Sequence, residues 1–105
     1  MNDPEQCHTM AEVREGVDMV DGEIVALLAK RFRFMIAAAR IKPSRNAVRD
    51  EERKAAVLDH VRRQAQSEGA PAGLIVEIYE ALVEASIGFE FEQFDKRSAV
   101  GAMPD

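Results

Sequence analysis

The chain has 105 residues, of which 47% are hydrophobic and 6% aromatic, and it carries a formal net charge of −5 at pH 7. This length indicates one domain, and the acidic balance argues against a nucleic-acid-binding protein, which needs a basic surface. Cys7 is the only cysteine, so neither a disulfide framework nor a thiolate metal site is expected. The polar N-terminus is unlike a signal peptide and no apolar run is long enough for a bilayer, so we expect a cytoplasmic protein without a membrane partner.

A long amphipathic helix is predicted from about Met10 to Ile41. Apolar residues recur there at intervals of three and four, which is the period of one helical face; they are Val13, Val17, Val20, Ile24, Leu27, Leu28, Phe32, Met35 and Ala38. At 1.5 Å per residue this helix would be about 45–50 Å long, whereas a compact domain of this size has a radius of gyration of about 13 Å. The rest of one chain is too small to cover such a helix, so we expect a homodimer.

Cations occur on this helix where a purely structural apolar face would exclude them. Arg31 lies within the apolar stripe, Lys42 falls within about 20° of the same face, and Arg14 points about 100° away. Each of them alone is explained by a side chain that lays its aliphatic stem on the core and its charge in water. Because a buried cation without a partner is costly, the three together favour a pocket for an anionic ligand.

Local signals mark both ends of the long helix. Thr9 and Glu12 have the spacing of a capping box at its start. Pro43 disfavours helical geometry for the residue before it, so the helix should end near Lys42. Residues 1–9 are predicted to form a flexible lead-in.

Two further helices are predicted after this break. The second begins near Asp50 and ends at Gly69, a residue type common just past helix C-termini. The third begins after Pro71 and covers about 72–94, and residues 95–105 are predicted to be a flexible tail because they show no helical period. No segment alternates as a strand does, so the predicted fold is all-α, with three helices in a single domain that spans residues 1–105.

One face of the third helix is mainly apolar but ends in polar residues; its members are Ile75, Tyr79, Leu82, Ser86 and Glu90. Glu90 follows Ser86 by one turn and is expected to be largely desolvated. Three other glutamates are predicted to face water, namely Glu77, Glu80 and Glu84.

Short motifs occur in a fixed order along these helices. They are R-x-x-V-D-x-x-D from Arg14 to Asp21, L-L-A-K-R from Leu27 to Arg31, Lys42, V-R-D-x-x-R from Val48 to Arg53, and S-x-x-x-E from Ser86 to Glu90. In this order and spacing, from about Val13 to Phe94, the chain resembles the all-helical (AroQ-class) chorismate mutases. The resemblance implies an intertwined helical homodimer in which each active site borrows an arginine from the partner's long helix. Arg14 matches that donated residue.

The resemblance also implies a role for each remaining site residue. Arginines bind the two carboxylates of the substrate, a small dicarboxylate, and Lys42 contacts the ether oxygen that leaves the ring. Asp50 matches a residue near the ring hydroxyl, and Ser86 one near a carboxylate. Glu90 stands where bacterial mutases often have glutamine, and Lys54 stands where the mutases have a glutamate for the ring hydroxyl. The predicted catalytic residues are Lys42, Glu90 and Arg31, and the predicted substrate-binding residues are Arg14, Arg31, Lys42, Asp50, Arg53, Ser86 and Glu90.

The predicted activity is the rearrangement of chorismate to prephenate. A unimolecular reaction of this kind needs no nucleophile, metal or cofactor, and none is expected; it needs a flexible dianion held in a reactive conformation.

Three alternatives to this activity stay open. The segments P-E-x-C (4–7), A-x-x-R-E (11–15) and Ile24-Val25 resemble the isochorismate-pyruvate lyases, a close branch that forms salicylate and pyruvate. Lys54 leaves room for an amino analogue of chorismate as substrate. Heptad-like spacing in the first helix would also suit a non-catalytic helical interaction module.

Overall fold

The computed structural model describes the backbone of residues 3–102 and the side chains of residues 3–98. Within that range the chain is all-α and contains no strand, as predicted. Its helices are α1 (Met10–Ile41), α2 (Glu51–Ser67) and α3 (Ala72–Ala102), and single 3-10 turns occur at Pro4–Gln6 and Arg45–Ala47. None of the described helices combines the length and apolarity that crossing a membrane requires.

Both ends of α1 lie where the local signals predicted. The Thr9 hydroxyl accepts a hydrogen bond from the Glu12 amide at 3.2 Å, and the Glu12 carboxylate accepts one from the Thr9 amide at 3.1 Å. This reciprocal pair confirms the capping box. At the other end, the Lys42 amide makes the last bond, to the Ala38 carbonyl at 2.9 Å. Pro43 then stops the helix.

The chain divides into two compact units between Arg33 and Phe34. In the first unit, much of the apolar stripe of α1 is exposed: Val17 is 51% exposed, Val20 52% and Leu27 67%. An apolar pocket of about 290 Å³ lies beside it, lined by Pro4, Cys7, Val13, Gly16, Val17 and Val20.

In the second unit, α2 begins and ends where predicted, and a cap is present at each end. Asp50 precedes α2, and its carboxylate accepts a hydrogen bond from the Arg53 amide at 3.0 Å. Gly69 follows α2 with φ of +73°, a left-handed conformation that strains residues with a Cβ. The amides of Gly69 and Ala70 donate to the carbonyls of Gln66 and Ala65. This is the Schellman pattern, and it turns the chain into α3.

The core of the second unit is built around Val48, Val83 and Ile87, all at most 9% exposed. Val48 belongs to the connector, which we define as residues 42–50 between α1 and α2. Its burial against α3 therefore fixes one point of the connector. The apolar residues that pack around this cluster are Val57, Leu58, Tyr79, Phe91 and Phe94.

The third helix is longer than its apolar pattern predicted. It continues to Ala102 instead of ending near Phe94. The added residues include lysine, arginine and alanine, which are good helix formers, and no proline lies between Phe94 and Pro104. Helix propensity therefore extends the helix beyond its apolar periodicity. The predicted flexibility of both ends stays a prediction, and residues 1, 2 and 103–105 lie outside the described residues.

A charged network joins the start of α2 to α3. The Lys54 ammonium lies 2.6 Å from a Glu80 oxygen and 2.8 Å from a Glu84 oxygen, and the Arg49 guanidinium lies 2.8 Å from the other Glu84 oxygen. Glu80 and Glu84 face water, as predicted, but they also bind cations from the start of α2, which was not predicted. Helical periodicity assigns a residue to a face but does not show that another helix supplies cations to it. The hydrogen bonds from Arg49 and then Lys54 lower the pKa of Glu84 from its usual 4.5 to about 2.

This pKa predicts an acid-dependent loss of stability. A carboxyl whose pKa is lower in the folded than in the unfolded chain stabilises the fold above about pH 4.5, and that contribution is lost as the pH falls towards 2. We expect Glu84→Gln to lower the free energy of unfolding at pH 7 and to reduce its decrease between pH 4.5 and 2. Urea unfolding at fixed protein concentration measures both. Glu77→Gln is the matched control, because Glu77 is exposed on the same helix. Equal pH slopes in wild type and Glu84→Gln would contradict the prediction.

Candidate active site

The end of α1 and the middle of α3 meet in a buried ion pair. The Lys42 ammonium lies 2.6 Å from Oε2 of Glu90, and the Glu90 side chain is only 5% exposed, compared with 29% for Lys42. Lys42 also donates a hydrogen bond to the Val48 carbonyl at 3.2 Å. The distance between Lys42 Nζ and Glu90 Oε2 makes this contact an ion pair. The angles at these atoms do not suit a hydrogen bond, and Oε2 accepts no hydrogen bond from any described residue.

Sequence features place the two groups together. Pro43 ends α1 directly after Lys42, and the buried Val48 draws the connector onto α3. Glu90 follows Ile87 on the buried side of α3, so its carboxylate cannot reach bulk water. A buried carboxylate without a cation would be strongly destabilising, and Lys42 supplies that cation.

Ser86 adds a second polar group beside this pair. It is 2% exposed, lies one helical turn before Glu90, and its hydroxyl donates to the Leu82 carbonyl at 2.7 Å. Two buried polar side chains therefore interrupt the apolar face of α3 that Val83 and Ile87 continue. Buried polar groups of this kind are characteristic of sites that orient a ligand.

Asp50 and Arg53 lie together at the start of α2, and both are exposed. The Asp50 carboxylate serves as the helix cap through one oxygen, Oδ1, which receives the Arg53 amide. Capping fixes the position of this carboxylate, and the N-terminus of α2 adds a partial positive charge next to Arg53. The pair is thus placed on a rigid element, as a substrate-binding role requires.

The two arginines of α1 that were predicted to bind substrate, Arg14 and Arg31, belong to the first unit. Arg14 is exposed and pairs with none of the described carboxylates, whereas Arg31 is partly buried. The structure brings Lys42 into contact with Glu90 and joins Asp50 to the Arg53 backbone. Lys54, predicted to alter ring-hydroxyl recognition, directs its ammonium to Glu80 and Glu84, and these contacts raise its pKa, Glu80 contributing most.

Sequence reasoning missed one contact of the connector. The Arg45 guanidinium binds both oxygens of Asp95, at 2.9 and 3.3 Å, and lies 4.4 Å from the ring centre of Phe91. A signal was available in hindsight: Glu80, Glu84, Phe91 and Asp95 are spaced by four, seven and four residues, which places them on one face of α3. Within the described part of the chain, no group of three or more histidine, cysteine or acidic side chains could hold a metal ion.

Comparisons with known proteins extend these observations. Residues 13–91 match the family model described as chorismate mutase type II. The chain is also 34% identical over 83 residues to an isochorismate pyruvate lyase of Pseudomonas aeruginosa, an alignment that covers 79% of this chain and 82% of that protein. The matched span contains α2 and the whole Lys42–Glu90 region. From its helices, its motifs and these matches, the chain belongs to the chorismate mutase type II family.

Proposed function

We propose that the protein is a chorismate mutase that rearranges chorismate to prephenate in a cationic pocket. One observation carries the proposal: in a chain of this family, the Lys42 ammonium lies 2.6 Å from the carboxylate of the buried Glu90. The reaction breaks a carbon–oxygen bond while a carbon–carbon bond forms within the same molecule, so the protein needs no nucleophile. Its contribution is to hold the reactive conformation and to stabilise charge on the ether oxygen.

In this proposal Lys42 faces the ether oxygen, on which negative charge grows as the bond breaks. A fixed ammonium in a pocket with little water stabilises that charge more strongly than water would. Arg31 and Arg53 bind the substrate carboxylates, since the planar guanidinium can contact two oxygens at once. Asp50 contacts the ring hydroxyl and Ser86 lies near a carboxylate. Glu90 orients Lys42 and, when protonated, donates a hydrogen bond to the ether oxygen.

The proposed pocket is shared between two chains. The exposed apolar stripe of α1 supports a homodimer, because Val17, Val20 and Leu27 are each more than half exposed in the single chain. Burying such residues is favourable by about 1.5–3 kcal/mol each. Arg14, exposed on the same helix and without a described carboxylate partner, is the residue we assign to the partner's site.

A second candidate is the lyase reaction, which converts isochorismate to salicylate and pyruvate. The relative from Pseudomonas aeruginosa carries that name. A structural observation also favours the lyase reaction. Classical mutases have a glutamate at the position of Lys54, where it contacts the ring hydroxyl, whereas here the Lys54 ammonium binds Glu80 and Glu84. Isochorismate and chorismate differ in the position of that hydroxyl. Both reactions are pericyclic and would use the same cations.

Turnover of the two substrates by wild type and Lys42→Ala tests the proposal. We expect wild type to form prephenate from chorismate, and Lys42→Ala to lower kcat by about 10²–10³, with a smaller change in KM, because its charge is needed mainly in the transition state. Lys96→Ala removes an exposed lysine of α3 and is the control.

Each other outcome of this assay has a definite meaning. If the protein forms salicylate and pyruvate from isochorismate but no prephenate from chorismate, the lyase reaction replaces the mutase reaction as the proposed function. A kcat within a few-fold of wild type in Lys42→Ala would remove Lys42 from the site. No turnover of either substrate would leave a non-catalytic helical module.

The role of Glu90 predicts a change in pH dependence. Only the protonated acid can donate to the ether oxygen, so wild-type kcat/KM should fall as rising pH removes that proton. Glu90→Gln supplies a permanent donor of similar shape and should remove the alkaline fall while keeping activity near neutral pH. Paired pH profiles of kcat/KM measure this. If the glutamine variant loses activity at every pH, the negative charge next to Lys42 is what matters, and the donor role is wrong.

Subunit mixing tests the shared pocket. Arg14→Ala and Lys42→Ala should each be nearly inactive alone, but their heterodimer contains one site with both residues intact. We therefore expect activity to return after subunit exchange, towards a quarter of wild type for random mixing of equal amounts. Sedimentation equilibrium at micromolar concentration shows whether dimers are present, and native mass spectrometry of the mixture shows whether heterodimers have formed. A folded monomer, or exchange without recovered activity, would exclude the shared site.

A further inference from the structure

The connector that carries Lys42 has few backbone constraints of its own. Within the connector, its backbone hydrogen bonds are those of one 3-10 turn, from Ala47 to the Ser44 carbonyl and from Val48 to the Arg45 carbonyl, both at 3.1 Å. A segment with so few local bonds depends on side-chain contacts to hold a single position. Its anchors on α3 therefore determine where Lys42 is placed.

The anchors differ in kind along the connector. Val48 provides a buried apolar contact, 3% exposed. Arg49 binds Glu84 near the start of α2. Arg45, only three residues from Lys42, binds Asp95 and covers Phe91. We call this last set the Arg45 anchor; it is the anchor nearest in sequence to Lys42 on the side away from α1.

The geometry of the Arg45 anchor explains why an exposed ion pair can hold a segment in place. The side chains of Arg45 and Asp95 are 59% and 51% exposed, and a simple ion pair at such a surface contributes little to stability. Here, however, the guanidinium contacts both carboxylate oxygens and also lies over the Phe91 ring. Two parallel contacts and a ring fix orientation as well as distance.

We propose that Arg45 is a positioning residue of the active site: its contacts with Asp95 and Phe91 fix the connector on α3 and thereby hold the Lys42 ammonium at Glu90. The inference rests on the proposed function, because it concerns the placement of the proposed catalytic lysine. Glu90 and Asp95 are both on α3, so one rigid helix sets the distance between the two cation sites. Releasing Arg45 lets the connector move, and Lys42 then spends less time where the ether oxygen needs it.

A double-mutant cycle separates positioning from general stability. We expect Arg45→Ala to lower kcat by about tenfold, a part of the 10²–10³ that a preorganised donor supplies. In the Lys42→Ala background the same substitution should change kcat less than about twofold, because the group that Arg45 positions is already absent. Asp95→Asn should reproduce the effect more weakly, since Phe91 remains. Arg97→Ala is the matched control: Arg97 is exposed, lies on α3 two residues after Asp95, and forms no ion pair with the described carboxylates.

Amide hydrogen exchange gives a second readout that does not require turnover. Arg45→Ala should speed exchange at Ala47 and Val48, whose amides close the 3-10 turn, while exchange within α2 and α3 stays as in wild type. Arg97→Ala should change neither.

The outcomes distinguish this inference from the proposed function. Unchanged exchange and unchanged kcat in Arg45→Ala overturn the positioning role. An equal loss of kcat from Arg45→Ala with and without Lys42 also overturns it, because Arg45 would then act independently of Lys42. Faster exchange in a protein that converts neither substrate overturns the proposed function and leaves Arg45 as a structural anchor alone.

Discussion

The burial of the Glu90 carboxylate is the constraint on which the second unit depends. An acid that is 3% exposed must have a cation beside it, because a buried charge without a partner costs several kcal/mol. Lys42 provides this cation only if α1 stops at Ile41 and the chain folds back over α3. Val48 then enters the core, and Asp50 caps α2. The contact therefore depends on the end of α1 before Pro43, and it directs the connector and places the proposed catalytic lysine.

Charged contacts along α3 fall into two classes that differ in solvent exposure. The Lys42–Glu90 contact is largely desolvated, so salt screens it little and its charges act at close to full strength. The contacts of Arg45 with Asp95 and of Arg49 with Glu84 lie at the surface, where solvent weakens them. The buried contact is thus suited to stabilising charge in a reaction. The exposed contacts are suited to holding the connector at a fixed position on α3. One helix serves both purposes through two of its faces.

Much of this architecture could be predicted from the sequence because its causes are local. The Thr9–Glu12 box, the Asp50 cap and Gly69 each act within a few residues of their own position, and each lies where its signal predicted. Contacts between distant residues were less accessible. Arg45 and Asp95 are fifty residues apart, and nothing in the pattern of either segment identifies the other. The end of α3 was missed for another reason, since apolar periodicity reports burial and this helix continues beyond the buried part.

The Glu90 carboxyl has one role in the site without substrate and another in the proposed reaction. Without substrate, Glu90 is a suitable partner for Lys42 only as a carboxylate, because its negative charge compensates the ammonium. The dianionic substrate of the proposed reaction would bring further negative charge to the same cation, and two anions on one ammonium in a pocket with little water repel each other. In the proposed mechanism a protonated Glu90 avoids this repulsion and donates a hydrogen bond to the ether oxygen. A glutamine at this position would donate without a change of protonation, but it would not compensate the charge of Lys42 in the resting protein. Glutamate can therefore combine resting-state placement of Lys42 with donation during the reaction, with one proton separating the two roles.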